Sequence, residues 1–424
     1  MFVTTFVTTL ALPTLATCFS RQAGACGPLC YGSSMGIFLL CSFLMIILYP
    51  VGIDLYLVAV PQIADTLQAS EAQIHTAFSI YLFGMAATVL LGGMIADRNG
   101  RRWVVIGGAL IFVIASLVAA NAAGICQFYL GRFWQGVGAG ALYIMTFTVL
   151  RDVLSQERLA MALSMINGVI CVIPVLAPVL GYLILSHFDW RGIFVAMALV
   201  AAISGLVNLL LLKETRPARQ PGSDTALPFA LLRSPRFMLL SLLTSASVTS
   251  ILVYVSVSPL ILMKEFGFTT EQYSIVMMVM AGVSMSTSFL TPLLLRWLGK
   301  HKVLAFSHLA YLLAACFLLG SWQLGGNIHL LLPGFALVCV GFSCGFGVAM
   351  GEALDGCQHN VAFASAVLCI MQISLSGLYI WLLGQLGFAP TEMLTYALLL
   401  TLLSYLAVKG LIPLLAVREA RSRG

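Results

Sequence analysis

The segment "GGMIADRNGRR", residues 92–102, shows how this chain is organised. An apolar run at 73–95 leads into it and another at 104–123 follows, and each is long enough to cross the hydrocarbon core of a bilayer. Arginine side chains enter that core only at high cost. The segment therefore predicts a short aqueous turn between two transmembrane helices.

The rest of the chain repeats this pattern of apolar runs and short polar breaks. Hydrophobic residues make up 61% of the sequence and charged residues only 8%, whereas soluble domains carry roughly 25% charged residues. The runs are too long for the strands of a membrane β-barrel, which span about ten residues of alternating polarity. We therefore predict an all-α membrane protein with twelve transmembrane helices, near residues 37–59, 73–95, 104–123, 126–149, 163–185, 192–212, 238–262, 272–295, 303–322, 329–350, 362–386 and 392–414.

Lysine and arginine are concentrated in alternate loops between these runs. The intervening loops contain only Arg191 and Lys264. Because basic loops stay on the cytoplasmic side, both termini of the bundle are predicted to be cytoplasmic. The net charge of +6 is thus explained by membrane orientation, and no nucleic-acid partner is expected.

The chain divides into two similar halves of six helices each. "YLVAVP" at 56–61 recurs as "YVSVSP" at 254–259, and "SEAQ" at 70–73 as "TEQY" at 270–273. Such repeats predict two pseudo-symmetric bundles with a binding site between them. The predicted parts are an N-terminal extension at 1–34, a first bundle at 35–212, a central cytoplasmic loop at 213–237, a second bundle at 238–415 and a basic tail at 416–424.

The first 34 residues lack the basic start of a secretory signal and are interrupted by Pro13. The first good helix begins directly at Met35. We expect Met35 to be the natural start and the preceding segment to be disordered or a gene-model extension.

Two charged residues lie inside predicted helices. Asp54 is in the first helix and has no counterpart in the second half, where Leu252 aligns with it. Arg132 is in the fourth helix, on one stripe with Gln135 and Tyr143. Intramembrane charges mark functional sites or pair with one another. We therefore predict that Asp54 and Arg132 offset one another's charge, directly or through water, and that both take part in proton coupling. A purely structural buried pair is the alternative.

The segment at 92–102 resembles the cytoplasmic loop signature of the major facilitator superfamily. The matching residues are Gly93, Asp97, Arg98, Gly100, Arg101 and Arg102. Gly93 would permit close helix approach and Gly100 a tight turn. The resemblance implies that Asp97 meets the start of the eleventh helix, that Arg101 pairs with Asp152, and that these contacts hold the cytoplasmic side shut. Alternatively, the arginines only orient the loop.

Two further helices resemble motifs of the same family. "LGRFWQGVGAGALY" carries Arg132, Gln135 and a small-residue contact at Gly136 and Gly140. "VIPVLAPVLGYL" resembles a motif of antiporters, with Pro178 and Gly181 retained and differences at Ala177 and Tyr182. Pro174 and Pro178 each remove a backbone hydrogen bond, which predicts a bend. A passive kink is the alternative.

The segment "GIDLYLVAVPQIADTLQASEAQI" resembles the first external loop region of drug:proton antiporters of the Bcr/CflA type. Over about 36–217 the chain is most similar to the MdtL-type multidrug efflux subgroup. The resemblance implies export of small lipophilic drugs, such as amphenicols or lipophilic cations, across the bacterial inner membrane. It further implies a monomer that exchanges drug for protons, with the proton gradient in place of a cofactor.

We expect a mostly apolar drug pocket between the halves. Its candidate residues are Tyr56, Gln135, Tyr143, Phe147, Tyr254, Met371 and Gln372, although aromatic and methionine residues at helical spacing often serve packing alone. Eleven cysteines are scattered without a CxxC pair, so no metal site is predicted.

Other functions are less well supported by the sequence. It shows no P-loop and no Ser/His/Asp arrangement, so an enzyme is not expected. A substrate:proton symporter or a sugar or metabolite exporter of the same fold is an alternative, although we expect the second half to offer few polar residues for a hydrophilic substrate. A non-transporting sensor or scaffold would not require Asp54.

Overall fold

The computed structural model of the chain describes residues 31–215, 234–355 and 361–423. The side chains of some residues in these ranges, Asp97 among them, lie outside that description, as does most of the predicted extension at 1–34. The described residues form fourteen α-helices and one π-helical turn. The helices are α1 Tyr31–Ile46, α2 Leu48–Leu57, α3 Val60–Leu67, α4 Glu71–Asn99, α5 Arg101–Ala120, α6 Ile125–Val153, α7 Gln156–Leu185, α8 Trp190–Leu211, α9 Pro235–Pro259, α10 Thr270–Leu298, α11 Lys300–Gln323, α12 Ile328–Leu354, α13 Val361–Gln385 and α14 Pro390–Arg423.

The all-helical membrane fold agrees with the prediction. Within the described residues, 11 helical segments are long and apolar enough to cross a bilayer, and each coincides with a predicted span. The remaining predicted span, 163–185, lies in α7, where the described apolar stretch is Val172–Leu185. The first span, Gly36–Leu57, comprises α1 and α2.

Two prolines explain the irregular points in the spans. Helices α1 and α2 are separated at Ile47. Pro50 has no backbone N–H, so it cannot donate the helical hydrogen bond to the carbonyl of Ile46, which lies next to this break. In the second half, α9 ends at Pro259 and continues as the π-helical turn Leu260–Glu265. π-Helical turns are rare and are often found at functional sites.

The internal repeat is visible in equivalent turns of the two halves. α4 begins with a capping box of Ser70 and Gln73, and α10 begins with one of Thr269 and Gln272. Both helices contain 29 residues and end before a glycine with positive φ, Gly100 at 95° and Gly299 at 76°. The caps align Ser70 with Thr269, one residue earlier than the sequence comparison had placed the repeat.

Close contact between α4 and α6 forms the centre of the first bundle. A Cβ on Gly136 would fall on the backbone carbonyl of Tyr81 and lie 3.1 Å from the Met85 nitrogen. A Cβ on Gly140 would lie 2.7 Å from the Met85 oxygen. The predicted small-residue contact is therefore confirmed, and it brings Arg132 of α6 toward α2 and α4.

Candidate functional site

Arg132 is fully buried between two tyrosine rings. Its guanidinium carbon lies 4.3 Å from the ring centroid of Tyr56 and 4.4 Å from that of Tyr81. Nη1 donates to the Gly52 carbonyl at 3.0 Å and to Oε1 of Gln135. These contacts stabilise the cation by its attraction to the rings' π faces and by two hydrogen bonds.

Asp54 lies close to this site but is not its ion-pair partner. Within the described residues, the groups that interact electrostatically with Arg132 are Tyr56 and Tyr81, and no ion pair joins Arg132 to Asp54. The direct contact that we considered from sequence is therefore not formed in this conformation. The role of both residues in proton coupling remains a prediction.

Asp54 lies within electrostatic range of tyrosines from both halves of the molecule. It is 9% exposed and interacts electrostatically with Tyr49 and Tyr81 of the first half. From the second half it interacts in the same way with Tyr254 and Tyr273. Among the residues with described side chains, no acid in a second-half span is buried. The expected asymmetry in acidic residues is thus present.

The other pocket candidates belong to separate groups of contacts. Tyr143 lies in an aromatic group with Tyr49 at 5.3 Å and Phe147 at 5.0 Å between ring centroids, and it contacts Cys369 of the second half. Tyr254 packs on Phe335 and donates to the Met277 sulfur at 3.4 Å.

The remaining pocket candidates, Gln135, Gln372 and Met371, differ in burial and in bonding partners. Gln135 is fully buried inside the first bundle, where its amide also donates to Ser116 at 2.9 Å. Gln372 is 7% exposed and lies 3.6 Å from the sulfur of Met350, and Met371 is partly buried. Of the candidates, Tyr143 of the first half thus contacts the second half, and Tyr254 of the second half lies within electrostatic range of Asp54.

Helix α9 of the second half carries several buried serine and threonine hydroxyls. Most of the buried hydroxyls of α9 bond to carbonyls of their own helix or to neighbouring helices. Thr249 bonds Ser376 at 2.9 Å, and Ser250 bonds Thr401 at 2.8 Å. Such bonds hold membrane helices together. The buried hydroxyls belong to Ser241, Thr244, Ser245, Ser247, Thr249, Ser250, Ser256 and Ser258.

The loop between α4 and α5 carries the predicted ion pair. Nε of Arg101 lies 3.0 Å from Oδ2 of Asp152, and both side chains are less than 10% exposed. Gly100 has a φ of 95°, so the predicted tight turn is also confirmed. The side chain of Asp97 lies outside the described residues, and its contact with the eleventh helix stays a prediction.

One expectation for this loop stays a prediction. A Cβ on Gly93 would meet no described atom within 4 Å, and the side chains of Met94, of Asp97 and of the start of α13 lie outside the described residues. Among the described residues, the close approach of α4 to α6 lies at Gly136 and Gly140.

Glu214, which follows α8, is a functional candidate that the sequence reasoning missed. Its carboxylate accepts from the backbone nitrogen of Arg101 at 2.8 Å and from that of Arg102 at 3.3 Å. These are the first N–H groups of α5, where a negative charge is favoured by the helix dipole. Arg102 also donates to the Leu209 carbonyl at 2.7 Å, so the start of α5 is joined to the end of α8.

The antiporter-like segment of α7 packs against α2. Pro174 and Pro178 both lie inside the continuous helix Gln156–Leu185. A Cβ on Gly181 would be 2.9 Å from Cγ2 of Val58 and 3.2 Å from the Leu55 carbonyl. Gly181 therefore allows α7 to approach the segment that carries Asp54. A bend at the prolines remains a prediction.

Three polar contacts join the halves at the end of the bundle that the positive-inside rule assigns to the exterior. Lys264 pairs with Glu71 at 2.7 Å. His75 Nδ1 lies 3.3 Å from Ser256 Oγ, and Gln385 donates to Thr76 at 3.0 Å. We call this set of contacts the outer gate. No group of three or more potential metal-binding side chains occurs among the described residues.

Comparison with known proteins agrees with this architecture. The sequence pattern of the Major Facilitator Superfamily matches residues 42–378. The chain is 45% identical over 361 residues to a multidrug resistance protein MdtL of Klebsiella pneumoniae, covering 84% of this chain and 91% of that protein. It is 44% identical over 386 residues to the MdtL of Salmonella heidelberg, covering 90% and 97%.

Two solved structures show the same fold at low sequence identity. The D-xylose-proton symporter is 15% identical with a TM-score of 0.70, covering 88% of this chain and 97% of its own. The nucleoside transporter NupG is 16% identical with a TM-score of 0.72, covering 89% and 100%.

Proposed function

Because this chain belongs to the major facilitator superfamily, we propose that it exports small lipophilic drugs across the bacterial inner membrane in exchange for protons. The two relatives compared above carry the name multidrug resistance protein and are 45% and 44% identical to it over most of its length, which supports efflux. The 11 membrane-spanning segments found among the described residues support a multi-pass membrane location.

The observation that carries the proposal is Asp54. A charged residue near the middle of a membrane helix costs roughly 2.5–3.5 kcal/mol, and no ion pair with Arg132 offsets that cost here. A carboxyl group in this position becomes neutral when it binds a proton and attracts a cation when it loses one. Asp54 therefore acts as the group for which a proton and a cationic drug compete.

Alternating access then converts proton entry into drug export. The bodies that move are the two bundles at 35–212 and 238–415, joined by the loop at 213–237, with the basic segment at 416–424 as a tail. One proton entering down a potential of 100 mV releases about 2.3 kcal/mol, which drives concentration of the drug. No cofactor is needed, and a monomer suffices.

The candidate pocket residues fit lipophilic cations and flat neutral drugs such as amphenicols. Ring faces attract cations, and the tyrosine hydroxyls offer a few polar contacts in an apolar space. Tyr143 and Phe147 supply this surface from the first half, and Tyr254, Met371 and Gln372 supply it from the second. Tyr56 and Gln135 act indirectly, by holding Arg132.

The cytoplasmic loop at 92–102 acts as the latch of the inner side. Arg101 and Asp152 hold its shape, and Glu214 connects it to the start of the central loop. Asp97, Arg98 and Arg102 belong to the same latch by resemblance to the family.

Proteoliposomes test this function directly. A fluorescent lipophilic cation is added to vesicles of purified protein, and a pH gradient is imposed. We expect the cation to move against its gradient while protons move the opposite way, and a protonophore to abolish both movements. Movement of the cation that continues unchanged with the protonophore would contradict proton coupling.

A further inference from the structure

His75 is a titratable residue of the outer gate that the proposed drug exchange does not use as a proton carrier. It is the fifth residue of α4 and is only 2% exposed. Its Nδ1 lies 3.3 Å from Oγ of Ser256 on α9, a residue of the other half. The imidazole ring is therefore buried at the interface between the two halves.

Helix α13 covers the same ring through a glycine. A Cβ on Gly384 would lie 3.0 Å from the Cβ of His75 and 3.4 Å from its Cδ2. The absence of a side chain at Gly384 thus lets the backbone of α13 pack directly against the histidine. Because the second half shields His75 from water here, the ring gains water when α9 and α13 move away from α4.

The charges around His75 give it no counter-ion of its own. Among the described residues, no ion pair includes His75, and the acid that interacts with it electrostatically is Glu71, one helical turn earlier. Glu71 is itself paired with Lys264 at 2.7 Å, so the positive charge of Lys264 offsets its attraction for a protonated ring. The titratable or charged groups at this end of the bundle are Glu71 on α4, Tyr129 on α6, and Lys264 and Glu265 on the π-helical turn, while α13 contributes the neutral Gln385.

A protonated His75 is therefore unfavourable while the gate is closed. A buried charge without a counter-ion costs free energy, and contact with water removes that cost. The Ser256 hydroxyl can either donate to the ring or accept from it, so this contact does not select one form of the imidazole. Burial between the halves selects the neutral form.

We propose that His75 is a second proton-binding site, on the exterior side, and that its protonation opens the outer gate. Proton binding and opening are linked reciprocally, so added protons depopulate the closed state, which binds the proton more weakly. An imidazole in water has a pKa of about 6.5, and opening should therefore increase as the external pH falls through this value. The inference requires neither a drug nor Asp54.

A reporter for the outer gate is Leu82→Cys in a cysteine-free background. Leu82 is fully buried on α4, about two turns further in than His75. Its Cβ lies 3.4 Å from the position of a Cβ on Gly377 of α13. A membrane-impermeant maleimide added from outside reaches this cysteine only when α13 separates from α4, so the labelling rate measures gate opening.

The test compares this reporter with and without His75→Asn at an external pH of about 8 and of about 5, on either side of the imidazole's ordinary titration range. Asparagine keeps a neutral polar group near Ser256 and does not bind a proton in this range. Both proteins carry the same cysteine, so the ratio of their labelling rates cancels the pH dependence of the thiol. We expect the rate with His75, divided by the rate with His75→Asn, to rise at least about fivefold from the higher to the lower pH.

The matched control is His329→Asn. His329 is an exposed histidine at the start of α12, at the same end of the molecule. Its replacement should leave the pH response of the reporter unchanged. Loss of the response in this variant as well would show that it does not belong to His75.

A ratio that stays constant between the two pH values would overturn the proposal. The same comparison in an Asp54→Asn background separates it from the proposed function, because labelling requires no drug. A rise that disappears in that background would assign the response to Asp54 and also overturn the proposal. If the ratio rises in both backgrounds while no drug is exchanged for protons, the efflux proposal fails and the proton site at His75 stands.

Discussion

Arg132 has the most constrained side chain among the proposed functional residues. Two tyrosine rings enclose its guanidinium, and Gly52 and Gln135 accept from the same nitrogen. A planar guanidinium stacks on rings and bonds at its edge at the same time, whereas the lysine ammonium is a compact point charge. Shape therefore matters at this position in addition to charge.

We accordingly predict that Arg132→Lys lowers the unfolding free energy by about 1–3 kcal/mol, because it loses hydrogen bonds and ring contacts while keeping the charge. The same substitution should also lower the rate of drug-driven proton movement. Arg151→Lys is the matched control, since Arg151 is exposed on the same helix. Thermal unfolding of the purified proteins measures the difference, and equal melting temperatures of the two variants would contradict this account.

At the scale of residues the sequence predicted the position of Arg132 but not its partners. Helical spacing placed Arg132 and Gln135 on one stripe, and they do bond. The nearest acid, Asp54, was the natural partner by charge. Tyr81 could not be identified in this way, because its ring approaches Arg132 only through the contact of α4 with α6, which spacing within one helix does not reveal.

At the scale of elements, the first bundle depends on the close contact of α4 and α6. Gly136 faces backbone atoms of Tyr81 and Met85, which cannot rotate away as a side chain can. We predict that Gly136→Ala forces the helices apart and destabilises the protein by about 1–3 kcal/mol, with Arg132 displaced from its rings.

The control for this prediction is Gly107→Ala in α5. A Cβ on Gly107 would meet no described atom within 4 Å, so alanine there should be neutral or slightly stabilising because of its higher helix propensity. Thermal unfolding in detergent compares the two variants. A Gly136→Ala protein as stable as Gly107→Ala would show that the helices do not depend on this contact.

Helix positions and turns were largely predictable, because apolar length, capping residues and glycines are local signals. The capping boxes at Ser70 and Thr269 and the turn at Gly100 are examples. Glu214 could not be found by the same reasoning, since the backbone nitrogen that it bonds belongs to Arg101, 113 residues away in sequence.

At the scale of the whole molecule, the outer gate holds the halves together in this conformation. A Cβ on Gly384 of α13 would lie 3.0 Å from the Cβ of His75 on α4, near the separation of about 3.5–4.5 Å in a disulfide. We predict that His75→Cys with Gly384→Cys, in a cysteine-free background, forms a disulfide that stops transport because the exterior side can no longer open.

A reductant should restore exchange in this double variant, and the two single variants should be insensitive to oxidation. Loss of free thiols verifies that the bond has formed. Transport that continues at the same rate with the disulfide in place would contradict an alternating opening of this side.

We propose that Asp54 couples proton movement to drug movement, and simultaneous flux measurements on matched variants test this coupling. Proteoliposomes containing wild type, Asp54→Asn or Asp65→Asn receive a pH gradient and a lipophilic cation, and the fluxes of drug and protons are recorded together. Asp65 is an exposed acid on α3 and provides the matched control. We expect coupled exchange by wild type and Asp65→Asn, and none by Asp54→Asn. Coupled exchange at the wild-type rate in Asp54→Asn would contradict it.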